Sequence, residues 1–174
     1  MRLLGALLAG GESRRFGTDK AQALLGARTL IGHAEAGLRP QVAALVRAGG
    51  GGLPDRPAPG LGPLGGLNAG LHHARAHGFD AVVSWPCDAP VVPDDLVTRL
   101  GSGGPAFVRD CPVVGYWPAT LADALDAHLV GSEDRSMRSW TAAIGAVAID
   151  LPPIANINTP ADLAALAAQL RSDR

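Results

Sequence analysis

The chain has 174 residues, of which 47% are hydrophobic and 18% charged, and its formal net charge is −1. That length supports one core, so a single domain over residues 1–174 is expected, and the composition excludes a disordered chain. Near-neutral charge excludes the basic face of a nucleic-acid binder, and no run of about 18 apolar residues predicts a membrane span.

The predicted elements alternate between short apolar runs and longer helical stretches. A first strand is expected at Leu3–Leu8. Its apolar run, about seven residues long, is too short for the core of a cleavable leader, and a charged Gly-rich segment follows at once. Next come a helix at Thr29–Leu38, a strand at Val42–Ala48 and a Gly/Pro-rich loop over Gly49–Gly60. That loop reads as a mobile surface segment or as one lying over a ligand. A helix at Leu64–Ala76, a strand at Asp80–Trp85 and a helix at Asp94–Leu100 follow. Ala106–Arg109 and Val113–Trp117 are close enough for a hairpin. Helices at Ala119–Leu129 and Asp134–Ala143, a strand at Ala146–Asp150 and a helix at Pro160–Leu170 complete the series. Thr159 fits the N-cap of that last helix, with Pro160 in its first turn and Asp162 three residues after the cap. Continuous apolar strands alternating with helices predict an α/β fold with a doubly wound, mostly parallel sheet and one antiparallel element.

Cys87 and Cys111 form no C-x-x-C pair, so neither a disulfide framework nor a zinc site is indicated, and a cytoplasmic location is expected. Cys87 itself reads as a packing residue. All but one of the 15 cationic side chains are Arg; the exception is Lys20. It ends the segment Leu8-Ala9-Gly10-Gly11-Glu12-Ser13-Arg14-Arg15-Phe16-Gly17-Thr18-Asp19-Lys20, which leaves the first strand through a glycine pair and gathers three cations. Glycines let backbone N–H groups close on an anion, and Arg and Lys supply full charge for phosphate oxygens. The segment has neither the G-x-G-x-x-G spacing of dinucleotide loops nor the G-K-[ST] ending of a Walker loop. The plainer alternative is a tight turn with solvated charges.

Four further motifs stand out. Trp85-Pro86-Cys87-Asp88-Ala89-Pro90 puts Asp88 at the carboxyl end of a buried strand, where open α/β sheets bind ligands and a carboxylate can hold Mg²⁺ with phosphate oxygens. The alternative there is a turn carboxylate capping the next helix, although Asp94 and Asp95 already supply that start. Gly62-Pro63-Leu64-Gly65-Gly66-Leu67 opens a helix whose free N–H groups can meet an anion, or whose glycines serve close packing. Asn156 and Asn158 flank Ile157 and share one face of an extended segment, with an N-cap or turn role as the alternative for Asn158. Arg135 and Arg138 are three apart, on one helix face if helical, and a solvated face is the alternative. His73 and His77 are four apart, but without a third ligand of matching spacing they read as a surface pair.

The segment from Leu8 to Lys20 resembles the L-A-G-G-x-S-x-R-[FM]-G-x-D-K signature of nucleotidyltransferases. With Pro86-Cys87-Asp88-x-Pro90 and Asn156-x-Asn158-Thr159-Pro160-x-Asp162, the chain is similar to the MobA-type molybdenum cofactor guanylyltransferase family from Leu3 to Leu166. The resemblance implies a Rossmann-like nucleotidyltransferase fold, GTP and molybdopterin as substrates, and Mg²⁺ as cofactor. It implies that Leu8, Ala9, Gly10 and Gly11 meet the nucleotide through their backbone, that Arg15 and Lys20 hold phosphates, and that Asp88 ligates the metal. It further implies that Asp88 forms the catalytic group with Arg15 and Lys20, that Gly62 and Leu64 border the nucleotide, and that Arg135, Arg138, Asn156 and Asn158 face the acceptor. A monomer or weak homo-oligomer is expected. The sequence departs from the family pattern before the Gly62 turn, where Asp55 is the only acid of Pro54–Leu61. Arg47 is the nearest polar candidate on the second long strand, and Cys111-Pro112 stands where relatives carry His-Pro. The alternatives are transfer from CTP, a different phosphorylated acceptor, or a nucleotide-binding regulator without transferase activity.

Overall fold

The computed structural model describes residues 1–9 and 22–172. Its main sheet has six strands: β1 (Leu3–Leu8), β4 (Ala44–Ala48), β5 (Ala81–Pro86), β6 (Ala106–Val108), β7 (Cys111–Pro118) and β8 (Val147–Ile149). Their order across the sheet is β4-β1-β5-β7-β6-β8. β7 alone runs antiparallel to its neighbours, and β6 and β7 form the expected hairpin. Two short strands, β2 (Leu24–Leu25) and β3 (Arg28–Thr29), form a separate hairpin that the sequence pattern did not announce.

Helices cover both faces. α2 (Gly62–Ala76), α4 (Ala122–Gly131) and α5 (Met137–Ala143) share one core with Leu4, Ala6 and Leu8 of β1. α1 (Leu30–Leu38) and α3 (Leu96–Leu100) share the other with Leu3 and Leu7. The alternation along β1 explains why its whole run is apolar: each residue is buried, on one face or the other. α2 turns Leu64, Leu67, Leu71 and Ala74 toward the sheet at helical spacing. A Cβ on Gly66 would stand 3.4 Å from the Ala48 Cβ, an ordinary contact, whereas one on Gly65 would stand 2.9 Å from the Leu61 Cβ and 3.0 Å from the Asp55 Cβ, so the close packing in this run falls at Gly65, against the loop before the helix.

Ser84 is one of the buried polar residues, with Asn68 and Thr141. Its hydroxyl donates to the Val113 carbonyl and accepts from the Trp117 indole N–H at 2.8 Å, so its burial leaves no unmet bond. A third, smaller cluster joins Leu25 and Leu30 to Ile157 and to Leu166 of α6 (Pro160–Ser172). α6 starts as expected: the Asp162 N–H donates to Thr159 Oγ1 at 3.1 Å, and Asp162 Oδ2 accepts from the Thr159 and Asn158 N–H groups at 2.8 Å.

Two helices start three residues later than expected. The stretch from Ala119 opens as a 3-10 turn and becomes α4 only at Ala122. α5 begins at Met137, because Ser136 takes the N-cap and Asp134 Oδ1 accepts from the Ser136 N–H at 2.9 Å in a turn of its own. Those hydrogen bonds, the Ser136 hydroxyl's first, hold the Asp134 carboxyl below the usual range. Arg135 therefore precedes the helix and does not share a helical face with Arg138.

Candidate active site

The carboxyl ends of β1, β4 and β5 lie side by side, with Leu8 in register with both Ala48 and Pro86. Main-chain bonds continue past them: the Ala9 N–H donates to the Ala48 carbonyl at 2.8 Å and the Cys87 N–H to the Leu8 carbonyl at 3.3 Å. Leu8 is buried and Ala9 half-buried, so a ligand at this end meets them through the backbone. Gly10, Gly11, Arg15 and Lys20 lie outside the described residues.

Asp88 is half-buried, two residues beyond β5. Its turn is clamped from within. The fully buried Trp85 indole donates to the Ala89 carbonyl at 2.6 Å, and the Ala89 N–H donates to the Pro86 carbonyl at 3.3 Å. The helix-cap alternative fails because α3 starts only at Leu96, with Asp95 before it. Asp95 makes no cap bond either; its Oδ2 accepts from Arg99 at 2.7 Å.

The Asn motif comes to the same place. The Ile157 N–H donates to the Asp88 carbonyl at 2.9 Å, while the Ile157 side chain is 2% exposed in the third cluster. One buried residue thus carries Asn156 and Asn158, both exposed, to the side of Asp88. Cys111 joins them from β7. Burial pushes its thiol up, a hydrogen bond with the Asn156 side chain opposes this, and the Asp88 charge adds to it. Sequence spacing alone gave no role to Cys111. The signal was the hairpin, which returns the chain to the carboxyl end of β5 at that residue.

The loop after β4 borders the site. Gly49, Gly50 and Gly51 all have positive φ, and a Cβ on Gly50 would stand 3.2 Å from the Ala9 Cβ. The loop returns to α2, where the Arg56 N–H donates to the Gly65 carbonyl at 3.1 Å. Asp55 lies over the first turn of α2, its Cβ and Cγ 3.0 Å from where a Gly65 Cβ would be. Gly62, with φ 62°, is half-buried at the helix start, and the Leu64 side chain is fully buried in the core. Leu64 can therefore offer a ligand only its main chain. The Arg47 guanidinium is committed elsewhere, to Glu35 at 2.7 Å. Arg135 and Arg138 are exposed at the start of α5, and the contacts that gather Asp88, Asn156 and Cys111 do not include them.

A carboxylate with two neighbouring amides is a hard oxygen donor set, suited to Mg²⁺. Backbone turns and a carboxylate at the carboxyl edge of a mostly parallel sheet are the framework of a nucleotide-binding α/β protein.

Known proteins narrow this further. Residues 5–148 match the MobA-like NTP transferase domain. The chain is 42% identical over 193 residues to a molybdenum cofactor guanylyltransferase of Cereibacter sphaeroides, covering 99% of this chain and 100% of that one. It is 39% identical over 190 residues to the protein of that name in Rhodobacter capsulatus, with 99% of each covered. The crystal structure of molybdopterin-guanine dinucleotide biosynthesis protein A from Archaeoglobus fulgidus superposes with a TM-score of 0.70 at 20% identity, covering 98% of this chain and all of that one. Sheet, site and matches define a nucleotidyltransferase. The chain belongs to the MobA-like NTP transferase family, with molybdenum cofactor guanylyltransferases among its full-length relatives.

Proposed function

We propose that the chain transfers GMP from GTP to the terminal phosphate of molybdopterin and releases pyrophosphate. The observation that carries this reading is the 2.9 Å bond from the Ile157 N–H to the Asp88 carbonyl, which sets the Asn-x-Asn motif beside the Pro-Cys-Asp motif at the carboxyl end of the sheet. The names of the full-length relatives supply the substrates.

An oxygen of the acceptor phosphate attacks the α-phosphorus of GTP, the bond from that phosphorus to the bridging oxygen breaks, and pyrophosphate departs. The acceptor is already anionic, so the reaction needs positioning and charge neutralisation more than a general base. Leu8, Ala9, Gly10 and Gly11 present main chain to the nucleotide, and Gly62 and the Leu64 backbone border it. Arg15 and Lys20 hold the phosphates. Asp88, with the amides beside it, would hold Mg²⁺, which when bound neutralises phosphate charge. Asn156, Asn158, Arg135 and Arg138 serve the acceptor side.

The test is pyrophosphate release with GTP, CTP, ATP and UTP, each with molybdopterin. GTP is expected to be preferred, and Asp88→Asn and Lys20→Ala each to lower turnover by roughly 100-fold or more. A preference for CTP overturns the guanylyl assignment. Tight GTP binding with no pyrophosphate release makes the chain a regulator. Lys20→Arg keeps charge and changes shape, so normal turnover in that variant makes the lone lysine incidental.

A further inference from the structure

Away from the nucleotide end, α2 and α4 meet along a charged seam. α2 contributes Asn68, His72 and Arg75 at steps of four and three, and α4 contributes Asp123 and Asp126, three apart. His72 lies ten residues past Gly62, roughly 15 Å along the helix and far from Asp88. The spacing of His73 and His77 drew attention in the sequence, but those rings stack on each other at 4.0 Å. The histidine that meets carboxylates is their neighbour.

His72 Nε2 is 2.8 Å from Asp126 Oδ2. Arg75 reaches Asp123 Oδ2 at 2.7 Å and His72 Nδ1 at 3.3 Å. A guanidinium only donates, so Nδ1 is the accepting nitrogen and Nε2 carries the hydrogen toward Asp126. One ligand atom from each of His72, Asp123 and Asp126 lies within 4.8 Å of the other two.

The cluster is braced from within the core. Asn68 is 0% exposed, and its Nδ2 donates to Asp126 Oδ1, so a buried amide holds the carboxylate from behind, as outer partners of metal ligands do.

We propose that this seam is a binding site for a divalent transition-metal ion of the Zn²⁺ type, with His72, Asp123 and Asp126 as ligands and Asn68 as the outer partner that orients Asp126. Imidazole with carboxylates selects Zn²⁺ or Co²⁺ over Mg²⁺. In the metal-free chain the Arg75 guanidinium supplies the neutralising charge, and it swings away when the ion binds; its side chain is 45% exposed and has room to do so. The ion clips α2 to α4, and this role is separate from the transfer reaction proposed above.

The test is Zn²⁺ titration calorimetry and Co²⁺ absorption on the full chain carrying Asp88→Asn, which removes the other divalent site. One equivalent of Zn²⁺ is expected to bind. The Co²⁺ complex should show visible ligand-field bands without the intense near-ultraviolet band of a thiolate ligand. His72→Gln and Asp126→Asn should each weaken Zn²⁺ by more than about tenfold, since even outer partners of metal ligands cost that much. Asp123→Asn, at an exposed position, should also weaken binding and replaces either variant if it fails to fold. Arg75→Gln should tighten binding, because it removes the competing cation. A merely structural ion-pair seam gives the opposite pattern: no saturable Zn²⁺ binding, and no gain from Arg75→Gln. Absence of binding, binding indifferent to the three ligand changes, or a thiolate band from Cys87 or Cys111 overturns the proposal.

Discussion

Trp85→Phe tests how Asp88 is positioned. Phe keeps most of the ring in the α1–α3 core but deletes the N–H that donates to the Ala89 carbonyl at 2.6 Å. Trp85 and Ala89 are both fully buried, so that carbonyl loses its partner where water cannot replace it. The unmet acceptor costs about 1–3 kcal/mol. The lost ring atoms leave a void of roughly 40 Å³, worth about 1 kcal/mol more. Together these lower the melting temperature by roughly 4–16 °C for a chain of this size. Circular dichroism in urea and on heating measures the loss without relying on the altered Trp signal. Well below the melting temperature, pyrophosphate release should also fall by roughly 10- to 100-fold, because the clamp spans the turn that carries Asp88. A stability loss below about 0.5 kcal/mol would show that the bond holds nothing. Full turnover in a clearly destabilised variant would refute the link from clamp to carboxylate.

Thr159→Ala removes the acceptor for the Asp162 N–H and should destabilise the chain by about 1 kcal/mol in urea unfolding; an unchanged midpoint denies the cap. Tyr116 is the only tyrosine, and burial, aided by the Asp80 charge, raises its phenol above the usual value. The folded state thus disfavours tyrosinate. This contribution is complete below the unfolded pKa of about 10 and is lost as pH rises through the higher folded value. Tyrosinate absorbance should therefore appear above pH ~10 in the folded chain, and a midpoint at or below that value contradicts the burial argument. Arg135→Gln with Arg138→Gln should raise the KM for the acceptor and leave GTP affinity unchanged; equal weakening of both substrates would take these residues off the acceptor side.

The parts of the fold that periodicity encodes were legible. All residues of β1 are buried on one face or the other, so its run of Leu and Ala reads as a strand covered twice. The spacing of Thr159, Pro160 and Asp162 fixed the start of α6 because capping is local chemistry. The start of α5 was missed for a related reason: Asp134 and Ser136 both compete for nearby N–H groups, and only the three-dimensional turn shows that Ser136 wins. The β2–β3 hairpin has two-residue strands, too short for any period to show. The position of Asp88 at the carboxyl end of β5 was legible because the apolar run before it reads as a buried strand. Cys111 was not, since its approach to Asn156 and Asp88 depends on the hairpin and on a segment 45 residues later.

The way this site is fastened bears on how its variants should behave. The segments Leu8–Ala9, Cys87–Asp88 and the residues Ala48 and Ile157 are far apart in sequence, yet they are joined here by main-chain bonds: Cys87 to Leu8, Ala9 to Ala48, and Ile157 to Asp88. The Asp88 carbonyl, not its carboxylate, receives Ile157, and the buried Ile157 side chain pins the segment from the third cluster. A main-chain bond survives replacement of the side chain beside it. Asp88→Asn is isosteric and keeps the bond to Ile157, so its stability should stay within about 0.5 kcal/mol of the parent while turnover collapses. Ile157→Ala should do the reverse first, costing about 2–5 kcal/mol from a buried cluster and loosening both asparagines together. If Asp88→Asn instead unfolds the chain, the carboxylate is part of the scaffold, and its loss of activity carries no information about transfer. Urea unfolding of the two variants, run beside the pyrophosphate assay, separates these outcomes.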